Sequence, residues 1–577
     1  MALHPSEGYI ASIDQGTSSS RFMIFDHDKN VVASHQLEHT QHYPEAGFVE
    51  HDAMEIWDNV VKCAREALSK ARCNFNHIKA LGITNQRETT LIFNRHTGKP
   101  YHRAIVWSDT RTAYIAERLC ADEKKGGQDQ FRAKTGLPIA TYFSALKIMH
   151  LLETIPGLRE SAERGDAIFG TIDTWLVFKL TCGKIHATDV TNASRTMLMD
   201  LRSLSWDPAI LSALNIPLAM LPQISSSSEV YGRVLSIEEL SGVPISGVLG
   251  DQHAALFGQN CYEPGDAKCT YGTGAFLLLN TGIKPIPSSR GLLTTMGYQL
   301  GKGAAPVYAL EGSVAYCGSL IQWLRDNMDL LPSAEASEEA AKQVVDNGGV
   351  YFVPAFSGLY APYWRSNARG VIAGLTAFNT KHHLVRAALE AAAFQAKEVL
   401  EAMELDSGVG LRSLRVDGGM TNNDVAMQFQ CDLVGVPLYR PLIPEMTALG
   451  AAFAAGLAVG YWSSTDELKD GWRASKTWTP AMEADTRTRL MRHWRKAVSR
   501  ALHWVDTASK ELGQDREEQD LCLAAMQQAT SRATSRAAPS ALVSPLSSGG
   551  DFWWMLAAAA AVGWIGGWAA RGQTGRV

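Results

Sequence analysis

No two cysteines of this chain stand at CxxC spacing, and none falls into a Cys/His pattern that would hold a metal. The nine, at positions 63, 73, 120, 182, 261, 269, 317, 431 and 522, are scattered through 577 residues. This excludes a zinc-ribbon module and a disulfide-stapled scaffold, and it points to reduced, mostly buried thiols in a reducing compartment. A basic excess is also missing. Lys and Arg total 54 against 59 Asp and Glu, a formal net charge of −5. The chain therefore has no electrostatic footprint for nucleic acid, and no such partner is expected. Residues 1–8 carry neither a basic stretch nor an apolar run. No secretory signal is expected there, and the bulk of the chain is expected in the cytosol.

What is present is a globular composition, 46% hydrophobic and 20% charged. This length exceeds a single ordinary core, so two large domains with appendages are expected. The clearest local feature is a loop type that occurs twice. Tyr9 to Asp14 is an apolar-alternating run; Gln15-Gly16-Thr17-Ser18-Ser19-Ser20-Arg21 follows, and then the apolar run from Phe22 to Phe25. Lys268 to Tyr271, Gly272-Thr273-Gly274 and Ala275 to Asn280 repeat that grammar. Both read as strand, tight turn, strand. Glycine lets backbone amides approach a phosphate, and Ser/Thr hydroxyls add donors. Two such turns on two similar halves predict a cleft that holds a nucleotide. Asp14, at the end of its strand, would sit at the mouth, where a carboxylate can hold Mg²⁺ directly or through water.

Alternating helix and strand patterns from residue 8 to about 250 follow a three-strand meander and indicate α/β layering. Residues 52–71 read as a helix with Ile56, Val60, Ala64 and Ala67 on one face, and residues 78–84 as the next strand. A second unit begins near Asp251, with helices expected around 314–325, 384–403 and 423–433. A strand over 413–417 ends in Gly418-Gly419, a third glycine turn facing the cleft. The expected division is 1–250, 251–512, a linker over 513–550 and a tail over 551–577. The linker is polar and carries the near-repeat Ala-Thr-Ser-Arg-Ala-Thr-Ser-Arg at 529–536. Residues 552–570 are uncharged, rich in Ala, Gly and Trp, and bracketed by Asp551 and Arg571. As a helix they would span roughly 28 Å, near the thickness of a bilayer's hydrocarbon. A membrane-anchoring tail helix is expected there, with the outer mitochondrial membrane as its destination.

Between the two loops lies Ile83-Thr84-Asn85-Gln86-Arg87-Glu88-Thr89-Thr90. It sets a cation beside a carboxylate: Arg donates to two oxygens while Glu accepts from a hydroxyl, which suits a vicinal polyol. Trp107, after Ile105-Val106, supplies an aromatic wall.

These segments, with Gly170-Thr171-Ile172-Asp173-Thr174-Trp175, Thr191-Asn192-Ala193-Ser194-Arg195-Thr196-Met197, Gly250-Asp251-Gln252, Ala309-Leu310-Glu311-Gly312 and Val416-Asp417-Gly418-Gly419, together resemble the FGGY carbohydrate kinases. Within that family the likeness is to members that phosphorylate glycerol. Tyr142-Phe143-Ser144-Ala145-Leu146-Lys147 and the pattern over 370–390 look like the family's two signatures, and the resemblance runs from about residue 8 to 510.

The resemblance implies an α/β fold of two ribonuclease-H-like domains of the actin/hexokinase ATPase type, with ATP and glycerol meeting in the cleft between them. Carried over by position, it implies that Arg87, Glu88, Tyr142, Asp251 and Gln252 hold glycerol's hydroxyls, and that Trp107 and Phe276 pack on its carbons. It places Thr17, Ser18, Arg21 and Thr273 at the phosphates and Gly318, Gln322, Gly419 and Asn423 nearer the nucleoside. It makes Asp251 the general base and puts Asp14 and Asp251 beside Mg²⁺. A homo-oligomer, dimer or tetramer, is also implied. His253 departs from the family's usual Gln or Ser and is expected to be a packed, hydrogen-bonded residue. Residues 235–244 contain no Lys or Arg, so the sugar-bisphosphate inhibition seen in some relatives is not expected. Other readings are another polyol or sugar kinase of the same family, an actin-like or chaperone-type ATPase, and a membrane scaffold with a dead kinase domain.

Overall fold

A computed structural model describes residues 8–505 apart from Ser366. The linker and tail expected over 513–577 lie outside the described residues. Among the described residues no helix is long and apolar enough to cross a membrane.

The first hairpin forms as the sequence predicts. Tyr9–Gln15 pairs antiparallel with Ser19–Phe25, which pairs in turn with Val31–Glu38. Tyr9–Gln15 is also parallel to Ile78–Asn85, which is parallel to Pro244–Gly250. With Ser228–Arg233 at the far edge, this makes a six-stranded sheet. Tyr9–Gln15 is buried on both faces because helices cover the sheet on both sides, which is why its sequence is a nearly continuous apolar run. Helix Ala53–Ala71 covers one face. Asp52 caps it by accepting from the Met54 and Glu55 amides at 2.8 and 3.3 Å, and Ile56, Val60, Cys63, Ala64 and Ala67 face inward.

The second sheet repeats the plan. Ala267–Tyr271 pairs antiparallel with Ala275–Gly282 and parallel with Leu414–Asp417. The full order is Leu293–Tyr298, Val307–Val314, Ala275–Gly282, Ala267–Tyr271, Leu414–Asp417, Leu438–Pro441 and Ala474–Trp478. Helix Lys381–Ser407, closed at its start by the reciprocal Thr380/His383 capping box, packs on it within the largest apolar cluster. The helix expected over 314–325 starts later, at Gly318. Val314 is drawn into the sheet by its pairing with Ala275, and the chain turns only after it.

The two halves interlock. Helix Met446–Ala458 belongs to the second half by sequence and lies on the first sheet. A Cβ on Gly82 would sit 2.3 Å from the Ala451 carbonyl, and one on Gly247 would sit 2.5 Å from the Ala455 amide. Only glycine lets strand and helix approach so closely. Met446, Leu449 and Phe453 bury against Ile10, Met23, Ala80 and Leu249.

Candidate active site

Strand Ile78–Asn85 delivers Arg87 and Glu88 to its carboxyl end, beside the end of Pro244–Gly250, where helix Asp251–Gly258 begins. Ligands bind at such strand ends in α/β sheets, where backbone amides and helix starts converge. Arg87 is buried and its guanidinium is divided between two carboxylates. Nε lies 3.0 Å from Asp251 Oδ1, while Nη1 and Nη2 donate to Glu311 Oε2 and Oε1 at 2.6 and 2.9 Å. Glu88, also buried, accepts from Arg195 Nε at 2.6 Å. Arg195 Nη2 is 3.4 Å from Glu311 Oε1. Burial pushes the Glu88 carboxyl up against the opposing pull of Arg195 and Arg87. For Glu311, burial also pushes upward, but Arg195 and Arg87 outweigh it and hold the carboxyl well below the usual range.

Glu88 has φ of +59°, a left-handed conformation that a β-region residue would avoid. Its carbonyl is fixed there by Thr90 Oγ1 and Ser144 Oγ, which donate at 3.0 and 3.1 Å. Asp251 does not act as the helix cap, a position held by Gly250. Its Oδ1 accepts from the Gln252 amide at 2.7 Å in addition to meeting Arg87, and Oδ2 makes neither contact. About a quarter of the Asp251 side chain, 28%, stays exposed while Arg87 beside it is at 2%. The carboxylate is thus anchored through Oδ1, on a side chain that stays partly exposed. Gln252 Oε1 accepts from the buried Lys268 ammonium, whose Nζ also donates to Thr270 Oγ1 at 3.0 Å.

Three rings stand together beside this ionic group. Trp107 meets Tyr142 and Phe276 edge-to-face, with centroids 5.5 and 6.2 Å apart. The Arg195 guanidinium carbon lies 5.6 Å from the Tyr142 ring centroid. Lys147 Nζ donates to the Thr141 and Tyr142 carbonyls at 2.8 and 2.7 Å, which fixes the loop that carries Tyr142. Burial pulls the Lys147 ammonium down to about 7. The Trp107 indole donates to Thr17 Oγ1 at 3.0 Å, so the aromatic group and the first glycine turn are physically joined.

That first turn closes with the Gly16 amide donating to the Ser19 carbonyl at 2.9 Å. Behind it, Gln86 Nε2 donates to Gln15 Oε1 and to the Gly16 carbonyl at 3.0 and 3.1 Å, and Gln41 Nε2 donates to the Thr17 carbonyl at 3.1 Å. Ser18 is exposed at the tip. Arg21 pairs across the hairpin with Asp14, but its side chain turns to Gln36, donating from Nε and Nη2 at 3.0 and 2.8 Å. Burial raises the Asp14 carboxyl to about 6; Arg21 works against this, and Asp251 and Glu445 add to it. Asp14, with the Asp251 carboxylate near enough to push its proton affinity up, fits a divalent cation held by one or two carboxylates together with phosphate oxygens. Among the described residues no group of three metal-ligating side chains forms a cage of its own.

In the second half, Thr273, Gly318, Gln322, Gly419 and Asn423 line one cavity of about 550 Å³, together with Tyr271, Gly272 and Ser337. Close backbone approaches shape part of its wall. The Thr273 carbonyl accepts from the Cys317 and Ser319 amides at 2.9 and 3.1 Å, and a Cβ on Gly318 would stand 2.6 Å from the Gly272 carbonyl. Gly418 adopts φ of +90° and packs so close to Tyr271 that a Cβ would meet its carbonyl at 2.1 Å. Asn423 caps helix Asp424–Val434 through its oxygen, at 2.9 Å from the Ala426 amide, and its Nδ2 donates to Ser337 Oγ at 3.2 Å.

The structure therefore gathers Arg87, Glu88 and Asp251 into one ionic group, and Trp107, Tyr142 and Phe276 into one aromatic group. Five of the eight expected nucleotide-side residues line one cavity, while Thr17, Ser18 and Arg21 lie on the other hairpin. His253 is the packed residue that the sequence suggests. It is fully buried, Nε2 lies 3.3 Å from Thr295 Oγ1, and burial and Arg87 keep the ring from protonating. Sequence reasoning gave no role to Glu311, Arg195 or Lys268. Glu311 entered only as part of the family-like segment Ala309-Leu310-Glu311-Gly312, and a lone acid in a largely apolar strand gives no sign in sequence of which charges it will meet.

Twin α/β sheets that carry a cluster of paired charges on one half and a cavity with three glycines in its lining on the other set the frame for comparison with known proteins. The model for the N-terminal domain of the FGGY family of carbohydrate kinases matches residues 9–258, and that for the C-terminal domain matches residues 267–459. The chain belongs to the FGGY family of carbohydrate kinases. It is 58% identical over 501 residues to a glycerol kinase of Brucella anthropi, covering 86% of this chain and 99% of the relative. Among solved structures, Plasmodium falciparum glycerol kinase with ADP superposes with a TM-score of 0.81 at 40% identity, covering 86% of this chain and 98% of that one. Gluconate kinase from Lactobacillus acidophilus shares the fold at 22% identity, with a TM-score of 0.75, covering 85% of this chain and 97% of that one.

Proposed function

We propose that this chain phosphorylates glycerol with ATP, giving sn-glycerol 3-phosphate and ADP, and so serves glycerol breakdown and the supply of glycerol 3-phosphate for lipid synthesis. The observation that carries the reading is the group of buried Arg87 and Glu88 with the partly exposed Asp251, joined through Arg195 to the ring cluster of Tyr142, Trp107 and Phe276. It is supported by the high identity to glycerol kinases over nearly their whole length.

In this reading Arg87 donates to two glycerol oxygens, Glu88 accepts from a hydroxyl, and Tyr142 and Gln252 complete the polar contacts. Trp107 and Phe276 cover the carbons. The two glycine turns face each other across the phosphates. Thr17, Ser18, Arg21 and Thr273 serve the phosphate chain, while Gly318, Gln322, Gly419 and Asn423 serve the nucleoside. Phosphoryl transfer asks little covalent work of the protein, so placement and charge stabilisation dominate. Asp251 Oδ2 takes the proton of the terminal hydroxyl as that oxygen bonds to the γ-phosphorus; the bond from phosphorus to the bridging oxygen breaks, and ADP leaves. Mg²⁺ at Asp14 and Asp251 would neutralise phosphate charge. Shutting out water protects ATP from hydrolysis.

The test is ADP release by the purified chain with Mg²⁺-ATP, with glycerol, xylulose or erythritol as acceptor. A rise selective for glycerol is expected. Preference for xylulose or erythritol would assign another acceptor, and ADP release indifferent to every polyol would leave an ATPase. The site is cytoplasmic in this reading, and the chain assembles as a dimer or tetramer. Residues 552–570 direct it to a membrane; the outer mitochondrial membrane remains a reading of the sequence alone. Fractionation of the full chain against one ending at residue 550 tests this, and equal partition of the two would remove the anchor.

A further inference from the structure

Glu311 sits in strand Val307–Val314 of the second sheet, paired with Leu278 on one side and Leu293 on the other. The next residue, Gly312, faces helix Lys381–Ser407 so closely that a Cβ would stand 2.3 Å from Val399 Cγ1. Side chains alternate along a strand, so Glu311 points from the opposite face, toward the first half. Its backbone is held by two neighbouring strands and a helix, and its carboxylate is fully buried.

That carboxylate meets two arginines, both from the first half. Each arginine grips one of the acids that the proposed function assigns to the acceptor. Arg87, held bidentately by Glu311, reaches Asp251 through Nε at 3.0 Å. Arg195, whose Nη2 is 3.4 Å from Glu311, reaches Glu88 through Nε at 2.6 Å. Neither Nη1 nor Nη2 of Arg195 makes a hydrogen bond, so its placement rests on Glu88, Glu311 and the flanking Tyr142 and Phe143 rings. An arginine has five N–H donors; Arg87 commits two of them to Glu311 and sets Nε in an ion pair with Asp251 at 3.0 Å, leaving others to meet an acceptor's oxygens. A guanidinium held at two points by a rigid carboxylate is pre-organised, so little side-chain freedom is lost when the acceptor binds.

We propose that Glu311 is a positioning residue for the polyol site, aiming Arg87 and Arg195 from the opposite half and through them the acids Asp251 and Glu88. The acceptor site is then complete only while the second sheet is docked on the first, so that polyol binding depends on the arrangement of the two halves. The inference rests on the proposed acceptor role of Arg87, Glu88 and Asp251.

Glu311→Gln keeps the shape and removes the charge. It is expected to raise the glycerol KM by about 30-fold or more, the scale of losing one member of a buried hydrogen-bonded charge pair, with the ATP KM within about 3-fold of the parent. Thermal stabilisation by glycerol should vanish while that by Mg²⁺-ADP persists. Glu311→Asp, with the charge retained one methylene shorter, should recover part of the glycerol affinity. A normal glycerol KM in Glu311→Gln overturns the proposal. So does an equal loss of both ligand responses, which would make Glu311 a contributor to general stability only. Should Glu311→Gln not fold, Glu311→Asp carries the test: a larger rise in the glycerol KM than in the ATP KM supports the proposal, and equal rises sink it. If the parent protein itself ignores glycerol, it is the acceptor reading that fails and not the role of Glu311.

Discussion

The two regions that face the proposed reaction are built from different materials. The polyol side centres on charged side chains: Arg87, Glu88, Arg195 and Glu311, all buried and linked to one another, with the partly exposed Asp251 joined to them through Arg87. The nucleotide side sets Gly272, Gly318 and Gly419 among apolar and neutral polar side chains around a cavity of about 550 Å³, with Glu335 and Glu338 as its charged lining residues and no ion-pair network like that of the other side. The difference follows from what each must recognise. A small polyol offers only hydroxyls, so discrimination needs fixed donors and acceptors whose abandonment in a dry site is costly. A nucleotide offers large surfaces and phosphate oxygens, which amides and close backbone approach can satisfy. Changes on the polyol side should therefore act through charge, and changes on the nucleotide side through shape.

The sharpest test of the charged side is Asp251→Asn, expected to leave the fold intact and lower kcat by at least ~10²-fold, the scale of a general base. Steady-state turnover near that of the parent would take Asp251 out of the chemistry. On the backbone side, Gly318→Ala places a methyl 2.6 Å from the Gly272 carbonyl. It should raise the ATP KM by about 10-fold, a shape effect from crowding a rigid turn, while leaving the glycerol KM unchanged. Equal changes in both constants would mean that the two regions are not separable.

Trp107→Phe tests the junction between them. It keeps an aromatic ring and deletes the N–H that reaches Thr17 Oγ1 at 3.0 Å. Loss of one neutral hydrogen bond predicts a change of about 3- to 10-fold in kcat/KM for glycerol. A pure wall residue would give no change beyond that of ring size, and Trp107→Leu supplies the comparison.

The smallest effect concerns the scaffold of the first half, behind strand Ile78–Asn85. Burial and the nearby Asp189 push the Asp173 carboxyl up to about 7, although Thr171 and Thr188 donate to it. A carboxyl raised above its unfolded value, about 4, keeps an extra proton in the folded state. Its contribution to stability is therefore fully present below that value and lost as the pH rises through 7. Urea denaturation at pH 5 and pH 8 should show the stability of the parent falling relative to Asp173→Asn across that interval. A constant difference would assign the site an ionised carboxylate throughout.

The sequence carried much of the architecture. The hairpins Tyr9–Gln15 with Ser19–Phe25 and Ala267–Tyr271 with Ala275–Gly282 were legible because apolar alternation on either side of a Gly/Thr turn permits little else. The residues around Arg87 and Asp251 were legible as motifs. The helix expected from residue 314 was mistaken because the pairing that draws Val314 into a strand comes from Ala275, remote in the chain. The packing of Met446–Ala458 on the first sheet left no local trace either: glycines at 82 and 247 reveal a close approach, but not to what.

By itself the sequence determined the family, the twin α/β halves, the glycine turns and the types of side chain available for a polyol. Those depend on local patterns, where backbone conformation and hydrophobic periodicity act over a few residues. Tertiary structure alone decided which charges meet. Arg87 spends two donors on Glu311, 224 positions away, and Arg21 turns to Gln36. Ion pairing in a desolvated interior is settled by distance in space and by the cost of leaving any one charge unmatched, and neither quantity can be read along the chain.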